Sequence, residues 1–173
     1  MGSDILKGMI ALANKLVPLK EEEECNSLKI LGDFMGINET NRSEIMKVAG
    51  FTEMLIEKFD KIDIFKAEKE EMLINLMKIL WQVTCEDKSF MEKLFPEDNA
   101  MIQKMFTLVT HHNFKVFNPA VQLFRKLSAG TDEQTKRVLK LGIIHRLPLV
   151  LVKPGADIFV RRHFQPPINL STT

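Results

Sequence analysis

Sharp chain breaks recur in this sequence at a fixed interval. Gly50 follows Lys-Val-Ala, Pro96 follows Lys-Leu-Phe and Gly142 follows Lys-Leu, at intervals of 46 and 46 residues. Each closes a short polar stretch and opens a longer apolar one. Glycine redirects a chain because it tolerates positive φ, and proline because it suits a helix's first turn but not its interior. Between the breaks, apolar residues fall three and four apart, as in Leu28, Leu31 and Phe34, in Leu73, Leu76, Leu80 and Val83, and in Val121, Phe124 and Leu127. That is the stripe of an amphipathic helix, and no segment shows convincing strand alternation. Further breakers at Pro18, Gly36, Asp60 with Asp63, Asn118-Pro119, Gly130 and Pro154-Gly155 divide the chain into many helices joined by short turns.

A fixed period containing three helices predicts an all-α solenoid, in which each unit buries its apolar face against the next. The length falls in the armadillo/HEAT range of about 40 to 47 residues. The spacing predicts a lead helix over 3–17, then 21–35, 40–49 and 50–60, then 64–84, 87–95 and 97–111, and finally 115–129, 132–141 and 142–153. Residues 1–160 are thus expected to form one repeat domain of about three units, and 161–173, stopped by Pro166-Pro167, a disordered tail. A stack that ends without a capping helix leaves apolar surface bare, which points to a partner, to self-association through that C-terminal end, or to a truncated chain.

At 173 residues the chain is long enough to bury a core without disulfides or a structural metal. Ordinary apolar and charged fractions of 45% and 27% and the lack of any 18-residue apolar run predict a soluble protein that does not enter membranes. The first 18 residues, broken by Lys7, Asn14 and Lys15, read as an amphipathic helix and not a secretory leader, so the expected location is cytoplasmic or nuclear. Cys25 and Cys85 fit two reduced thiols.

Charge is unevenly spread. Residues 1–100 carry 13 Lys/Arg and 20 Asp/Glu, whereas residues 101–173 carry 11 and 3, giving −7 and +8. Solvated helix faces account for this, and so does an acidic half that attracts basic peptides beside a basic half that meets acidic ones. Nucleic acid is a poor candidate, because the basic half has no Trp or Tyr for base stacking.

Residues Asn118 to Val152, NPAVQLFRKLSAGTDEQTKRVLKLGIIHRLPLVLV, resemble the armadillo repeats of the importin-alpha family, in which an apolar helix is followed by a turn like GTDEQT, here Gly130 to Thr135. Phe34 to Phe59 and Trp81 to Phe106 look like looser copies. Within the turn, Gly130 ends one helix and Thr131 or Asp132 can cap the next, with Glu133 or Gln134 close by.

The resemblance implies an armadillo-type superhelix that binds a protein or an extended peptide in a concave groove, possible work including nucleocytoplasmic transport. The alternative is a generic armadillo scaffold in signalling or cytoskeletal assembly. That family carries a groove Trp and, four residues later, an Asn that clamps the peptide backbone. Lys29 with Asp33, Lys78 with Gln82, and Gln122 with Lys126 occupy those places here, and none matches the pair. Trp81, beside Gln82, either presents its ring at the groove edge or packs between helices. Met72, Met77, Met91, Met101 and Met105 read as core filling.

No enzymatic chemistry is expected and no cofactor. Gly-rich phosphate loops, GxSxG and HExxH are absent, and Glu21 to Glu24 suit a helix's first turn. A metal site is not expected either, because the adjacent His111 and His112 would point to different sides of a helix and His145 and His163 lack partners at ligand spacing.

Overall fold

The computed structural model describes residues 2–15, 21–87, 89–95 and 100–140. Within them the chain forms α1 (Gly2–Lys15), α2 (Glu21–Ile37), α3 (Glu39–Met46), α4 (Phe51–Lys61), a single 3-10 turn (Ala67–Lys69), α5 (Glu70–Glu86), α6 (Phe90–Leu94), α7 (Ala100–Leu108), α8 (Phe114–Ser128) and α9 (Asp132–Lys140). No strand occurs among the described residues. Pro96, Gly142, the predicted helix over 142–153 and the tail over 161–173 lie outside them, as does the predicted bare end.

The long helices α2, α5 and α8 stack side by side and carry the stripes seen in the sequence. Leu28, Leu31 and Met35 of α2, Leu73, Leu76, Met77, Leu80 and Val83 of α5, and Val116, Ala120, Leu123 and Leu127 of α8 are buried in one continuous core. Phe34, placed on the α2 stripe, is only half-buried and packs on the core's margin. Met77, Met91, Met101 and Met105 are buried and Met72 half-buried, so the methionines fill gaps between helices.

The long helices begin at residues 21, 70 and 114, where the sequence predicts 21, 64 and 115. Local side-chain bonds cause the difference. The Asp63 carboxylate accepts the Phe65 N–H at 3.0 Å and draws the chain into a turn, so α5 starts at Glu70 and not near 64. Two glutamates in that first turn, Glu70 and Glu71, favour this start. At the end of α7 the Thr110 backbone N–H and hydroxyl both bond to the Thr107 carbonyl, at 3.2 and 2.9 Å, and the helix stops at Leu108 instead of reaching 111. Gly50 sits at φ 77°, as a break made by glycine requires, and leads into α4. In the GTDEQT turn it is Thr135 that ties the pieces together, its hydroxyl donating to the Ser128 carbonyl at 3.0 Å.

One device joins successive units. A polar side chain of each later helix reaches a main-chain carbonyl of its counterpart one unit earlier. Lys104 of α7 donates to the Asp60 carbonyl of α4 at 2.6 Å, Lys126 of α8 to the Thr84 carbonyl of α5 at 2.5 Å, and Arg137 of α9 to the Phe95 carbonyl just past α6 at 3.3 Å. Helix C-termini expose carbonyls and the negative end of the dipole, so cations are favoured there. Lys104 and Lys126 also lie over aromatic rings, 5.5 Å from the centroid of Phe59 and 4.7 Å from that of Trp81. Burial pushes the Lys104 ammonium below its usual pKa, with Asp60 and Asp63 opposing. Part of the charge asymmetry follows: the later units supply cations to helix ends formed by the earlier ones.

Candidate functional site

Helices α2, α5 and α8 together border an open groove of about 530 Å³. Its walls come from Lys29 and Asp33 of α2, from Ile74, Asn75, Lys78 and Trp81 of α5, and from Phe114, Lys115, Asn118, Pro119 and Gln122 of α8. Helical spacing brings each set to one side of its helix, which places two, four and five residues in one trough.

Five of the seven residues expected from sequence therefore meet there: Lys29, Asp33, Lys78, Trp81 and Gln122. Gln82 and Lys126 do not line it. Gln82 donates from Nε2 to the Gly32 carbonyl at 3.0 Å, and Lys126 reaches the Thr84 carbonyl, so both side chains hold neighbouring long helices together. Trp81 does both things proposed for it, since its half-buried ring lines the groove and also carries the Lys126 ammonium.

Ile74, Asn75, Phe114, Lys115, Asn118 and Pro119 were missed. Ile74 and Asn118 extend the Lys78 and Gln122 positions by one helical turn, which is the signal that finds them. Asn75 is buried and donates to the Cys25 carbonyl at 3.4 Å, fixing α5 against α2. Burial, the largest cause, raises the pKa of the adjoining Cys25 thiol, against a lowering contribution from Asn75. Phe114 is 54% exposed and offers an aromatic face to solvent. The Asn118 Oδ1 atom is buried and has no donor among the described residues. Pro119, inside α8, has no N–H to give the Lys115 carbonyl one turn earlier.

The groove's field is not the acidic one expected of the first hundred residues. Lys29, Lys78 and Lys115 line it against a single carboxylate, Asp33, which Lys78 already pairs. Other acidic side chains pair away from it, Glu24 with Lys58 and Glu86 with Arg42 at 3.0 Å, while Glu70 and Glu71 line an adjoining hollow that shares Lys29 and Lys115 with the groove.

His111 and His112 depart from expectation. They follow the end of α7 instead of lying on it, and their rings stack with centroids 4.4 Å apart. His112 Nε2 lies 2.9 Å from Glu70 Oε2, while Asn113 Nδ2 donates to Glu70 Oε1 at 2.5 Å. The Asn113 bond, with smaller help from the two histidines, holds the Glu70 carboxyl below its usual pKa.

No family model matches the chain, and no curated protein matches it. Solved structures do. One engineered protein is similar at TM-score 0.61 and 15% identity over 87% of this chain and 58% of its own. Another gives 0.58 and 18% over 84% and 56%. Computationally designed armadillo repeat proteins for modular peptide recognition give 0.56 and 15% over 78% and 53%. The chain thus spans a little over half the length of each. With an all-helical trace and three-helix units, these likenesses define the class: the fold is an armadillo-type α-α superhelix of about three units. At identities of 15% to 18%, the likeness is one of fold alone. No described helix is long and apolar enough to cross a membrane.

Proposed function

We propose that the chain is a non-catalytic binding module whose groove takes an extended, acidic segment of a partner protein. The observation that carries this is the composition of the trough: lysines on both rims, an apolar floor of Ile74, Trp81 and Phe114, and the buried acceptor on Asn118. A buried carbonyl oxygen without a donor costs about 1 to 3 kcal/mol, and a peptide N–H laid along the groove relieves it. Long helices packed about 8 to 10 Å apart make three of them some 20 Å wide, the reach of about six extended residues. The neighbouring designed armadillo proteins, made for modular peptide recognition, support the reading.

Trp81 provides the test, being the sole tryptophan. Titrating a Glu- and Leu-containing decapeptide should shift Trp81 emission with affinity about tenfold better than a lysine-rich one, a difference of about 1.4 kcal/mol. Lys78→Glu with Lys115→Glu should reverse the order. Tighter binding of the lysine-rich peptide to the unaltered chain would overturn this reading. It would favour instead an importin-alpha-like adaptor in nucleocytoplasmic transport, which the GTDEQT turn suggests and which would place the protein in cytoplasm and nucleus. A generic scaffold for signalling or cytoskeletal assembly is compatible with the acidic ligand.

A further inference from the structure

We propose that Glu70, His111 and His112 form a binding site for a divalent transition-metal ion of the Zn²⁺ type. Glu70 comes from the first turn of α5 and the two histidines from the turn joining α7 to α8, segments far apart in the chain. Their donor atoms all lie within 4.8 Å of one another, the one such group among the described residues. On a helix, consecutive side chains diverge by about 100°. Here the chain has left the helix, so the two rings lie side by side and the carboxylate faces them.

Asn113 supports this arrangement from behind. Its Nδ2 donates to Glu70 Oε1, its backbone N–H donates to His111 Nδ1 at 3.1 Å, and its Oδ1 caps α8 by accepting the Lys115 N–H at 2.9 Å. It therefore orients the Glu70 carboxylate and anchors it to a helix end, the role outer-shell partners play at metal centres, while its N–H bond to His111 Nδ1 leaves the ring proton on Nε2 and must break for either nitrogen of that ring to take the ion. Two imidazoles and one carboxylate are a mixed nitrogen and oxygen set. Such a set suits zinc and its neighbours in the first transition row, whereas magnesium and calcium take oxygen ligands.

Ligand atoms held about 2.0 to 2.1 Å from a tetrahedral zinc ion stand about 3.4 Å apart, so no separation need close by more than roughly 1.4 Å. His112 has room to move, its side chain being 78% exposed. Remaining coordination positions fall to water. Lys29 and Lys115 share the adjoining hollow with Glu70 and Glu71, so two cations offset two carboxylates there, and the expected affinity lies in the micromolar range. Because Phe114 and Lys115 follow directly, a bound ion would fasten the α8 end of the groove to α5.

Calorimetric titration of the chelator-stripped full chain with Zn²⁺ tests the site. A single equivalent should bind and raise the melting temperature. His111→Ala, His112→Ala and Glu70→Gln should each weaken binding by tenfold or more while retaining the helical circular dichroism of the parent. His145→Ala with His163→Ala should leave the affinity unchanged, and Co²⁺ in place of Zn²⁺ should show no thiolate charge-transfer band. A readout on the unaltered chain does not depend on variants folding. Diethylpyrocarbonate should modify His112 readily without zinc, and zinc should protect His111 and His112. Undiminished binding by a His111→Ala/His112→Ala chain, protection confined to His145 and His163, or a thiolate band with Co²⁺ would each overturn the proposal.

Discussion

The two seams between long helices use the same architecture with different chemistry. Where α2 meets α5, Gly32 and Gly36 bring the backbone close. A β-carbon on Gly32 would stand 3.2 Å from Ile79 Cγ1, and one on Gly36 3.0 Å from Gln82 Nε2. The joint is finished by a neutral amide, Gln82 to the Gly32 carbonyl. Where α5 meets α8, neither helix contains glycine, and the joint is a lysine lying over an indole. Side chains thus set the separation at the second seam, and its two helices supply most of the trough's lining, including Trp81, Phe114, Asn118 and Pro119. A repeat can stack a tight seam for rigidity next to a looser one for binding without changing its helices.

The strongest way to break that comparison is Gly32→Leu. Overpacking at the tight seam should cost about 3 kcal/mol, read as a lower urea midpoint. Gly32→Ala should come out near neutral, because about 1 kcal/mol of helix propensity offsets the crowding. Unchanged stability in Gly32→Leu would show that the first seam is not close-packed. At the second seam, Lys126→Ala should cost about 1 to 2 kcal/mol by losing a carbonyl bond and a cation–π contact, with a change in Trp81 emission. Lys126→Met, which keeps much of the stem, should lose less. Asp33→Asn should alter stability by only about 0.5 kcal/mol, because the Asp33–Lys78 pair is exposed and screened.

Two smaller effects sharpen the picture. Since burial raises the Cys25 thiol pKa at the tight seam, a thiol reagent at neutral pH should label exposed Cys85 well before Cys25. Equal rates would mean that α2 breathes away from α5. The lowered pKa of Glu70 gives a contribution present above the ordinary carboxylate range and lost as pH falls through its folded value. Asn113→Ala should reduce that acid sensitivity, measured by urea unfolding at matched ionic strength between neutral and acid pH.

Helix content and the long stripes were legible in the sequence because burial imposes the 3.6-residue period directly on residue choice. Boundaries were less so. Asp63 and the threonines near the end of α7 decide them through local bonds whose outcome depends on which competitor wins. Lys29, Asp33, Lys78 and Gln122 came from the places that the armadillo resemblance assigns, and Trp81 from its position beside Gln82; all five line the trough. Gln82 and Lys126 were misplaced as groove-facing because a polar residue at the edge of a stripe can turn to solvent or to the neighbouring helix, and only the packing chooses. The pairing of Glu70 with His111 and His112 had no sequence signal, since it depends on α7 stopping three residues early.

The clasp of Lys104, Lys126 and Arg137 onto carbonyls of the preceding unit runs in one direction along the chain. Synthesis runs in that direction too. Each acceptor helix leaves the ribosome before the cation that will grip it, so all three of these clasps close onto an edge already made. A circularly permuted chain that delivers the α8 and α9 segments first would reverse that order, and should lag in co-translational folding while reaching the same final structure.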